Sequence, residues 1–496
     1  MVIAESGGIV LTKKRKPGKS PENGRQSEAP YCRGLIFVRE SSIIFSENQI
    51  ADRNPGYTAK VINNRKEDEK MKRAFTNCII LDGTENMAPK TGNAVLVKDG
   101  VISGIVPEKE VPADFEKTDL GGKYILPGLI NLHVHLAGSG KPKKKQSDPV
   151  KLVKLITSNA LTRSLGRKLV ADFAKTQLYS GVTTIRTVGG IADFDTTVRD
   201  GINAGKRIGP RILASNMAIS VKGGHMAGSL AYVASSPEEA AGYVDRIARE
   251  KPDIIKLMIT GGVLDAERVG EPGVLRMSPE IVKAACDRAH ALGFQVAAHV
   301  ESPEGVKVAL ENGVDSIEHG AKPTEEIMKL FRERKAFQVS TLSPALPFAL
   351  FDREVSHATY EQKENGKIVF DGIISLAKEC LKEGIPVGLG TDTACPYVTQ
   401  YDMWRELCYF VRYCGVSNSF ALYSATLLNA TLAGIGDKTG SIEQGKLAEM
   451  IVVGKNPLKD LQALRNPDMV VMHENIIRSP KVKKIPEVEA QLDQWL

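Results

Sequence analysis

Short apolar stretches of β-strand character alternate with longer helical segments through most of residues 126–435. This alternation predicts an α/β fold with a parallel sheet, because parallel neighbours need a crossover connection that is usually a helix. Counting the stretch that leads into His133, there are eight strand candidates, and eight favour closure into a (β/α)8 TIM barrel. The other seven lie near residues 182–187, 211–215, 254–260, 294–299, 314–318, 337–341 and 386–391.

The segments on either side of the barrel also have β-strand character. Alternating and β-branched runs indicate a small sheet in residues 71–125. Residues 439–453 return to this character, and we expect residues 436–480 to join the first segment in one small β-sandwich domain. Residues 481–496 are predicted to form a C-terminal tail. The clearest strands of the first segment are 77–81, 94–98 and 101–106.

Residues 1–70 are predicted to lie outside this fold, as a disordered or non-native extension. They show no sustained apolar period, and they hold 13 Lys and Arg residues against 9 Asp and Glu residues. The run from Arg65 to Lys70 uses residues with purine-rich codons, as translation of a ribosome-binding site would give, and Met71 follows directly. We expect Met71 to be the natural start. A solvated tail and an accessory segment are the alternative interpretations.

Composition argues against several classes of function. The hydrophobic fraction is 42%, and no apolar run approaches the roughly 18 residues of a membrane span, so no membrane role is expected. The net charge is +7, but only +3 of it falls in residues 71–496, which is too little for a nucleic-acid partner. The seven cysteines lack the paired spacing of a zinc ribbon, and no secretory leader precedes them, so a cytoplasmic location is expected. The expected partner is a small-molecule substrate, and a homo-oligomer remains open.

Four histidines and one aspartate stand at the ends of predicted strands. His133 and His135 flank one valine, and strand alternation turns both imidazoles to the same side. Two ordinary histidines near a loop would give the same short pattern, but His299, His319 and Asp392 end three further strands. The carboxyl ends of barrel strands meet at one face, where barrel enzymes build their sites. Such a mixture of nitrogen and carboxylate ligands suits zinc best, with manganese, iron, cobalt or nickel as alternatives.

Lys256 follows two isoleucines within a strand that we expect to be buried. An isolated ammonium group is expensive to desolvate there, and cationic metals would repel it. An amine that has taken up carbon dioxide is instead an anionic carbamate, whose two oxygens can bridge two metals. A lysine held in a salt bridge is the alternative interpretation.

Three stretches around these residues resemble the amidohydrolase superfamily. They are Leu-Pro-Gly-Leu-Ile before the His-Val-His of 133–135, Ile-Ile-Lys-Leu-Met-Ile-Thr-Gly-Gly around Lys256, and Leu-Gly-Thr-Asp-Thr around Asp392. The runs 255–264, 295–302 and 315–321 are similar to a binuclear branch that cleaves amides of carboxylated substrates. That branch includes zinc-dependent Xaa-Pro dipeptidases, Arg/Lys carboxypeptidases and ochratoxin-degrading amidases. The resemblance extends from about Met71 to the C-terminus.

The resemblance implies a role for each position in a centre of two divalent metals, with zinc as the expected ion. The implied ligands are His133 and His135 for the first metal, His299 and His319 for the second, a carbamate on Lys256 as a bridge, and Asp392 on the first metal. A bridging hydroxide is the implied nucleophile, and Asp392 is implied to carry its proton to the leaving nitrogen. His225 lies in a Lys-Gly-Gly-His loop, and similar loops in this branch place the imidazole near the substrate carbonyl.

Two positions depart from the pattern of the relatives. The relatives commonly have Asp two residues before the first histidine and Arg-Asp on the second strand, where this chain has Asn131 and Thr187. Residues behind the ligands orient them, so we expect metal affinity or substrate choice to differ. The aromatic residue that some dipeptidases have after the fourth strand is not evident in residues 264–276. Arg268 and Arg276 in that loop are candidates to hold a substrate carboxylate, with solvated arginines as the alternative interpretation.

The leading prediction is hydrolysis of an amide bond in a small carboxylate such as an N-acyl amino acid or a dipeptide. A cyclic amide hydrolase of the imidazolonepropionase or hydantoinase kind is the first alternative, since it needs no new residues. A deaminase fits less well, because Lys256 would have no role and Ser302 follows His299 where a proton-shuttling Glu is expected. The complete ligand set argues against a non-catalytic scaffold.

Overall fold

The computed structural model describes residues 71–143 and 148–496, together with the course of two short strands near the N-terminus. The interpretation of residues 1–70 as an extension otherwise lies outside the described residues. The chain divides into two compact units, Met1–Lys66 and Glu67–Leu496, and all elements after the first two strands belong to the second unit. The two short strands, which pair antiparallel, are β1 (Val2–Ile3) and β2 (Ile9–Val10).

The second unit begins with four strands of a small β domain. They are β3 (Lys72–Ile80), β4 (Asn93–Lys98), β5 (Val101–Pro107) and β6 (Glu116–Pro127). β3 pairs antiparallel with β4 and parallel with β6, and β5 pairs antiparallel with β4. Phe75, Ile102 and Ile125 are buried in an apolar core that belongs to this domain. The predicted β character of the segment before the barrel is therefore present.

The parallel strands of the barrel follow the small domain. They are β7 (Leu129–Val134), β8 (Val182–Thr187), β9 (Arg211–Leu213), β10 (Ala218–Val221), β11 (Ala231–Ala234), β12 (Ile255–Met258), β13 (Val296–Val300), β14 (Ser316–His319), β15 (Phe337–Ser340) and β16 (Val387–Leu389). β7, β8 and β9 pair in that order, while β10 pairs with β11 and β12, and the order then runs on to β16. β9 and β10 share the third of eight positions, and β11 is an additional strand that pairs with β10. Every residue of β7, β8 and β12 to β15 is buried, as expected for strands covered on both faces.

Helices separate most of these strands and cover the outside of the sheet. They are α1 (Pro149–Ile156), α2 (Ala160–Tyr179), α3 (Phe194–Asn203), α4 (Pro237–Ala248), α5 (Pro279–Ala291), α6 (Pro303–Glu311), α7 (Glu325–Arg334), α8 (Leu342–Leu350), α9 (Arg353–Ser356), α10 (Tyr360–Lys382), α11 (Met403–Tyr409), α12 (Asn418–Tyr423) and α13 (Asn429–Leu432). The hydroxyls of Ser236 and Ser302 accept backbone hydrogen bonds at the starts of α4 and α6, each before a proline that needs no partner for an N–H group.

No helix in the described part of the chain has the length and apolar character needed to cross a membrane.

Hydrogen bonds join the last barrel strand to the first. The backbone amides of Thr391 and Asp392, just after β16, donate to the carbonyl of His133 on β7. The side-chain amide of Asn429 donates to Ile130 O at 2.8 Å and to a carbonyl of β16 at 2.9 Å. The predicted (β/α)8 barrel fold is confirmed, and its closing contacts lie beside two of the predicted metal ligands.

Strands after the barrel complete the small β domain. They are β17 (Glu449–Val453), β18 (Met469–Met472) and β19 (Asn475–Arg478). β17 pairs antiparallel with β6, which gives one seven-stranded sheet of order β19-β18-β17-β6-β3-β4-β5. Segments from both sides of the barrel therefore share this domain, as the sequence indicated.

The segment predicted as a C-terminal tail, residues 481–496, contains a helix, α14 (Pro486–Leu492). Its Val488 side chain is fully buried, and Arg465 forms salt bridges with Glu489 and Asp493. The backbone amide of Ile485 also donates to the hydroxyl of Tyr401 at 2.7 Å. Apolar and ionic contacts thus fasten this segment to the unit.

Candidate metal centre

The six side chains predicted as metal ligands meet at the carboxyl-terminal face of the barrel. β7 places the first two, β12, β13 and β14 place one each, and the last follows β16. All six are at most 7% exposed, and together with His225 they line one cavity of about 160 Å³. The six are His133, His135, Lys256, His299, His319 and Asp392; we call them the ligand cluster.

The histidine rings of the ligand cluster form a connected arc. The ring centroid of His133 lies 5.4 Å from that of His135 and 4.8 Å from that of His319, which is in turn 4.8 Å from His299. Ligand atoms of His133, His319 and Asp392 all lie within 4.8 Å of one another. This spacing is compatible with shared ligation of small cations.

Hydrogen bonds on one ring nitrogen leave the other nitrogen of each imidazole facing the cavity. Nδ1 of His133 lies 2.7 Å from a carboxylate oxygen of Glu318, and Nδ1 of His135 lies 2.7 Å from Gly189 O. Those acceptors require a proton on Nδ1, so the lone pair is left on Nε2. This is the tautomer that binds a metal through Nε2.

The other two histidines are anchored in different ways. Nδ1 of His319 lies 2.6 Å from the hydroxyl of Thr341, whereas His299 uses Nε2, which lies 3.1 Å from Gly261 O. His299 therefore has Nδ1 available rather than Nε2. Burial lowers the pKa of both imidazoles well below the usual value, so the rings are neutral at pH 7 and can act as ligands.

Asp392 places a carboxylate oxygen between the first two histidines. Its Oδ1 lies 3.4 Å from Nε2 of His133 and 3.1 Å from Nε2 of His135. Burial alone raises the pKa of this carboxyl, but the interactions with His133 and His135 outweigh it and hold the pKa well below the ordinary value. The group is therefore an anion whose Oδ1 lies between the Nε2 atoms of two imidazoles.

Lys256 is fully buried, and its Nζ has no hydrogen-bond partner or salt bridge among the residues that the structure describes. The salt-bridge interpretation therefore finds no partner there. Burial lowers the pKa of the amine to about 8, against the opposing charges of Glu318 and Asp392. A partly neutral, unpaired amine fits the requirement for carbamate formation, since only the neutral amine can react with carbon dioxide.

Two members of the ligand cluster have an unusual backbone conformation. His319 has a φ of 66° and Asp392 has a φ of 56°, which is the left-handed region that residues other than glycine rarely adopt. Such strain is typically retained at functional sites, where the surrounding structure enforces it. Twelve other non-glycine residues in the described part of the chain also have a positive φ, so this conformation is shared with positions outside the cluster.

The sequence analysis missed Glu318, which lies directly behind the ligand cluster. Its carboxylate accepts hydrogen bonds from Nδ1 of His133 and, at 2.6 Å, from Nη2 of Arg186. Burial raises the pKa of Glu318, but the charge of Arg186 and the hydrogen bond from His133 bring it far below the ordinary value. The sequence did contain a signal for the pair of Arg186 and Glu318. Each is the one Lys, Arg, Asp or Glu residue of its buried strand, β8 or β14.

The two departures from the relatives' pattern are accommodated by neutral hydrogen bonds. Asn131 donates to the hydroxyl of Thr391 at 2.7 Å and accepts from the backbone amide of the same residue at 3.1 Å. The hydroxyl of Thr187 accepts from the backbone amide of Ser215 at 3.1 Å. Both replacements thus link neighbouring strands without a carboxylate.

His225 lies beside the ligand cluster. Its ring stacks on His299 with a centroid distance of 4.2 Å and an angle of 9° between the planes. Nδ1 of His225 forms a hydrogen bond with the carboxylate of Asp265. The imidazole is therefore fixed in orientation at the edge of the cavity.

Arg268 and Arg276 do not reach this cavity. Both are exposed and line a neighbouring cavity of about 460 Å³, together with Asp265, Glu267 and Glu271. Asp265 stands between the two cavities, since it also holds His225. The arginines are thus placed beside the cluster rather than in it.

An open cavity of about 420 Å³ leads to the ligand cluster. Its polar end includes His225, His299, His319, Asp392 and Glu301. The opposite wall is apolar, with side chains from the loop after β12 and from α8 and α10. The apolar residues are Val263, Leu264, Pro344, Ala345, Phe348 and Ile373.

Comparisons with known proteins agree with this architecture. The model of the Amidohydrolase family matches residues 124–476, and that of the NagA composite domain matches residues 73–125. The chain belongs to the amidohydrolase family, and it is a hydrolase that acts on amide bonds.

Three individual proteins illustrate which members of the family this chain is similar to. A candidate prolidase from Bifidobacterium longum has 36% sequence identity and a TM-score of 0.75, and the match covers 86% of this chain and 98% of that one. A Xaa-Pro dipeptidase with methionine bound in its active site has 29% identity and a TM-score of 0.71, with coverage of 82% and 100%. Ochratoxinase from Aspergillus niger is 26% identical over 413 residues, which is 77% of this chain and 81% of that protein.

Proposed function

We propose that this chain hydrolyses the amide bond of a small carboxylate-bearing substrate, such as a dipeptide or an N-acyl amino acid, with two divalent metals. The main support is the ligand cluster, in which four imidazole lone pairs and one carboxylate face a single buried cavity. Similarity to a dipeptidase and to ochratoxinase supports an open-chain amide as the substrate. The apolar wall beside the cluster provides room for an aliphatic or aromatic group.

The residues present fit two metals, with zinc as the expected ion. His133, His135 and Asp392 would hold the first, and His299 and His319 the second. A carbamate on Lys256 would lie between them, which gives its unpaired Nζ a role. When bound, such metals supply an activated water and polarise the scissile carbonyl.

Asp392 is the residue that we expect to move the proton. Hydrolysis consumes one water: the carbonyl carbon gains OH, the C–N bond breaks, and the nitrogen gains H. Asp392 accepts the proton of the attacking water at a carboxylate oxygen and transfers it to the leaving nitrogen. Its depressed pKa keeps it unprotonated at pH 7, as the accepting step requires.

His225 is the residue that we expect to bind the substrate carbonyl oxygen. The hydrogen bond with Asp265 engages Nδ1 of His225, so Nε2 is the ring atom that can face a substrate. Stacking on His299 holds Nε2 close to the cluster. A donor aimed at the oxygen that gains negative charge favours the transition state.

The experiment that tests this function combines a metal analysis with a substrate screen. Purified protein should contain about two divalent metals per chain, and a chelator should abolish activity that zinc restores. Dipeptides and N-acyl amino acids should be hydrolysed, and cyclic ureides should not. Hydrolysis of the ureides alone would assign the chain to the cyclic amide hydrolases instead, and absence of stoichiometric metal would overturn the proposal.

Replacement of Lys256 tests the bridge. Lys256→Ala should lose a metal and reduce kcat by at least about 100-fold, and a short carboxylic acid such as propionate should restore part of both. Any fall in unfolding stability should come from the loss of buried methylene groups, because Nζ makes no hydrogen bond with the described residues. Lys446→Ala is the matched control, since Lys446 is also buried but donates to Ser441 at 2.7 Å, far from the cluster.

The control should keep both metals and full activity. Full activity in Lys256→Ala would contradict the bridging role.

A further inference from the structure

Glu301 lies at the entrance to the ligand cluster and has no part in the mechanism above. It follows β13, and one of its carboxylate oxygens lies within 4.8 Å of ring nitrogens of both His299 and His319. The backbone amide of Val263 donates to its Oε2 at 2.9 Å. This contact directs a half-buried carboxylate into the 420 Å³ cavity.

Among the described residues, no Lys or Arg side chain compensates the carboxyl group of Glu301. Glu301 forms no salt bridge there, and neither Lys nor Arg lines the cavity. Its charged neighbours are Asp392 and Asp265, which are both acidic. A carboxyl group in such surroundings is complementary to a positively charged ligand group, which favours its ionised form.

We propose that Glu301 binds the α-ammonium group of a dipeptide, so that the site selects substrates with a free amino terminus over N-acyl compounds. This inference rests on the proposed function and specifies its substrate class. It assigns Glu301 a role in substrate specificity, separate from the chemistry of the ligand cluster.

The geometry of a dipeptide agrees with this assignment. One Cα separates the α-nitrogen from the scissile carbonyl carbon, which places the two atoms about 2.5 Å apart. A carbonyl that is attacked beside His299 and His319 therefore brings its α-ammonium group close to those rings. The oxygen of Glu301 lies within 4.8 Å of the same ring nitrogens, so it is within reach of that group.

The apolar wall of the cavity indicates which side chain the first residue of the dipeptide should have. Phe348, Ala345 and Ile373 line the same cavity as Glu301. A side chain on the Cα between ammonium and carbonyl would enter this region, where burial of aliphatic surface is favourable. Dipeptides with an apolar first residue are thus the substrates expected to use both features.

The test compares matched substrates that differ only in the α-ammonium group. Leu-Pro and Leu-Gly are paired with their des-amino analogues, 4-methylpentanoyl-proline and 4-methylpentanoyl-glycine, and with N-acetyl-Leu-Pro. The wild-type enzyme should have a kcat/KM about 10–100-fold higher for the dipeptides than for the uncharged compounds, as expected for one charge-assisted hydrogen bond. Glu301→Gln should remove most of this preference, mainly through a higher KM for the dipeptides.

A matched variant and a metal analysis separate this role from others. Glu304→Gln removes an exposed carboxylate three residues away and should leave the preference unchanged. Glu301→Gln should keep its metals and change kcat/KM for the des-amino compounds less than about 3-fold. Loss of metal, or an equal fall for charged and uncharged substrates, would overturn the assignment.

The wild-type measurements alone also decide the question if the variant does not fold. Equal rates on dipeptides and des-amino compounds would overturn the role of Glu301 and leave the proposed amide hydrolysis intact. Hydrolysis of neither set would overturn the proposed function together with this inference. A clear preference for the free ammonium group would support both.

Discussion

Glu318 and Glu301 are two acidic residues beside the ligand cluster, where Glu318 contacts His133 and Glu301 lies near His299 and His319. Glu318, on β14, is fully buried behind the ligand cluster and contacts Arg186, His133 and the hydroxyl of Ser316. Glu301, just after β13, faces the cavity and accepts a hydrogen bond from a backbone amide. The pKa of Glu318 is held far below the ordinary value, whereas desolvation raises the pKa of Glu301 to about 8.

The difference separates two uses of a buried negative charge. A carboxylate with its own arginine is electrostatically complete, so it can hold a ligand histidine in one orientation. A carboxyl group without an arginine or lysine partner, such as Glu301, can instead pair with a cationic group of a ligand. The presence of an arginine partner therefore indicates that Glu318 supports the fold, and its absence among the described residues indicates that Glu301 binds substrate.

The largest expected effect is the loss of stability on removing the charge of Glu318. Glu318→Gln leaves Arg186 as an uncompensated buried cation, and we expect the free energy of unfolding to fall by about 3–5 kcal/mol. Because the folded-state pKa is lowered from 4.5, this contribution is present above that pH and is lost as the pH falls further. Urea denaturation at pH 7 and at pH 4 should therefore show a smaller difference between variant and wild type at pH 4.

A double variant checks the cause of that loss. Arg186→Met combined with Glu318→Leu removes both charges and should be more stable than Glu318→Gln, since a buried pair is often replaceable by apolar residues. A double variant as unstable as the single one would show that the charge of Arg186 is not responsible.

An intermediate effect is expected at Thr341, whose hydroxyl contacts Nδ1 of His319 at 2.6 Å. Thr341→Val leaves a buried imidazole N–H without a partner, which should cost about 1–3 kcal/mol of stability. Metal affinity should fall about 10–100-fold, as for other residues that orient a ligand. Competition with a chelator measures this affinity, and Thr341→Ser, which keeps the hydroxyl, should behave like the wild type.

The smallest stability effect is expected at Glu301. Glu301→Gln retains an oxygen for the backbone amide of Val263 and breaks no salt bridge of the described chain, so the free energy of unfolding should change by less than about 1 kcal/mol. Thermal or urea unfolding measures this change beside that of Glu318→Gln. A destabilisation as large as that of Glu318→Gln would remove the distinction between the two carboxylates.

The barrel and the position of its predicted ligands could be predicted from sequence because both depend on periodicity. Alternating strands and helices determine a parallel sheet, and residues at strand ends such as His299 and Asp392 then meet at one face. The prediction needed no knowledge of side-chain contacts. Assignment of these residues as metal ligands remains a prediction.

Contacts between side chains of distant strands could not be predicted in the same way. The pair of Arg186 and Glu318 joins β8 to β14, and no local pattern in either strand specifies its partner. Loops were harder still: Arg268 and Arg276 were candidates for the site, but the course of their loop places them in a neighbouring cavity. Glu301 was overlooked because its significance depends on which side chains line the cavity, and among the described residues these include neither Lys nor Arg.

The contacts that close the barrel also bear on how the proposed metal centre would be assembled. His133 lies on β7, and its carbonyl accepts hydrogen bonds from the backbone of Thr391 and Asp392, which follow β16. During synthesis the two halves of this contact are separated by about half of the chain. In the proposed centre, the first metal would therefore have its full set of ligands only after β16 has joined β7, so binding of that metal would report a closed barrel.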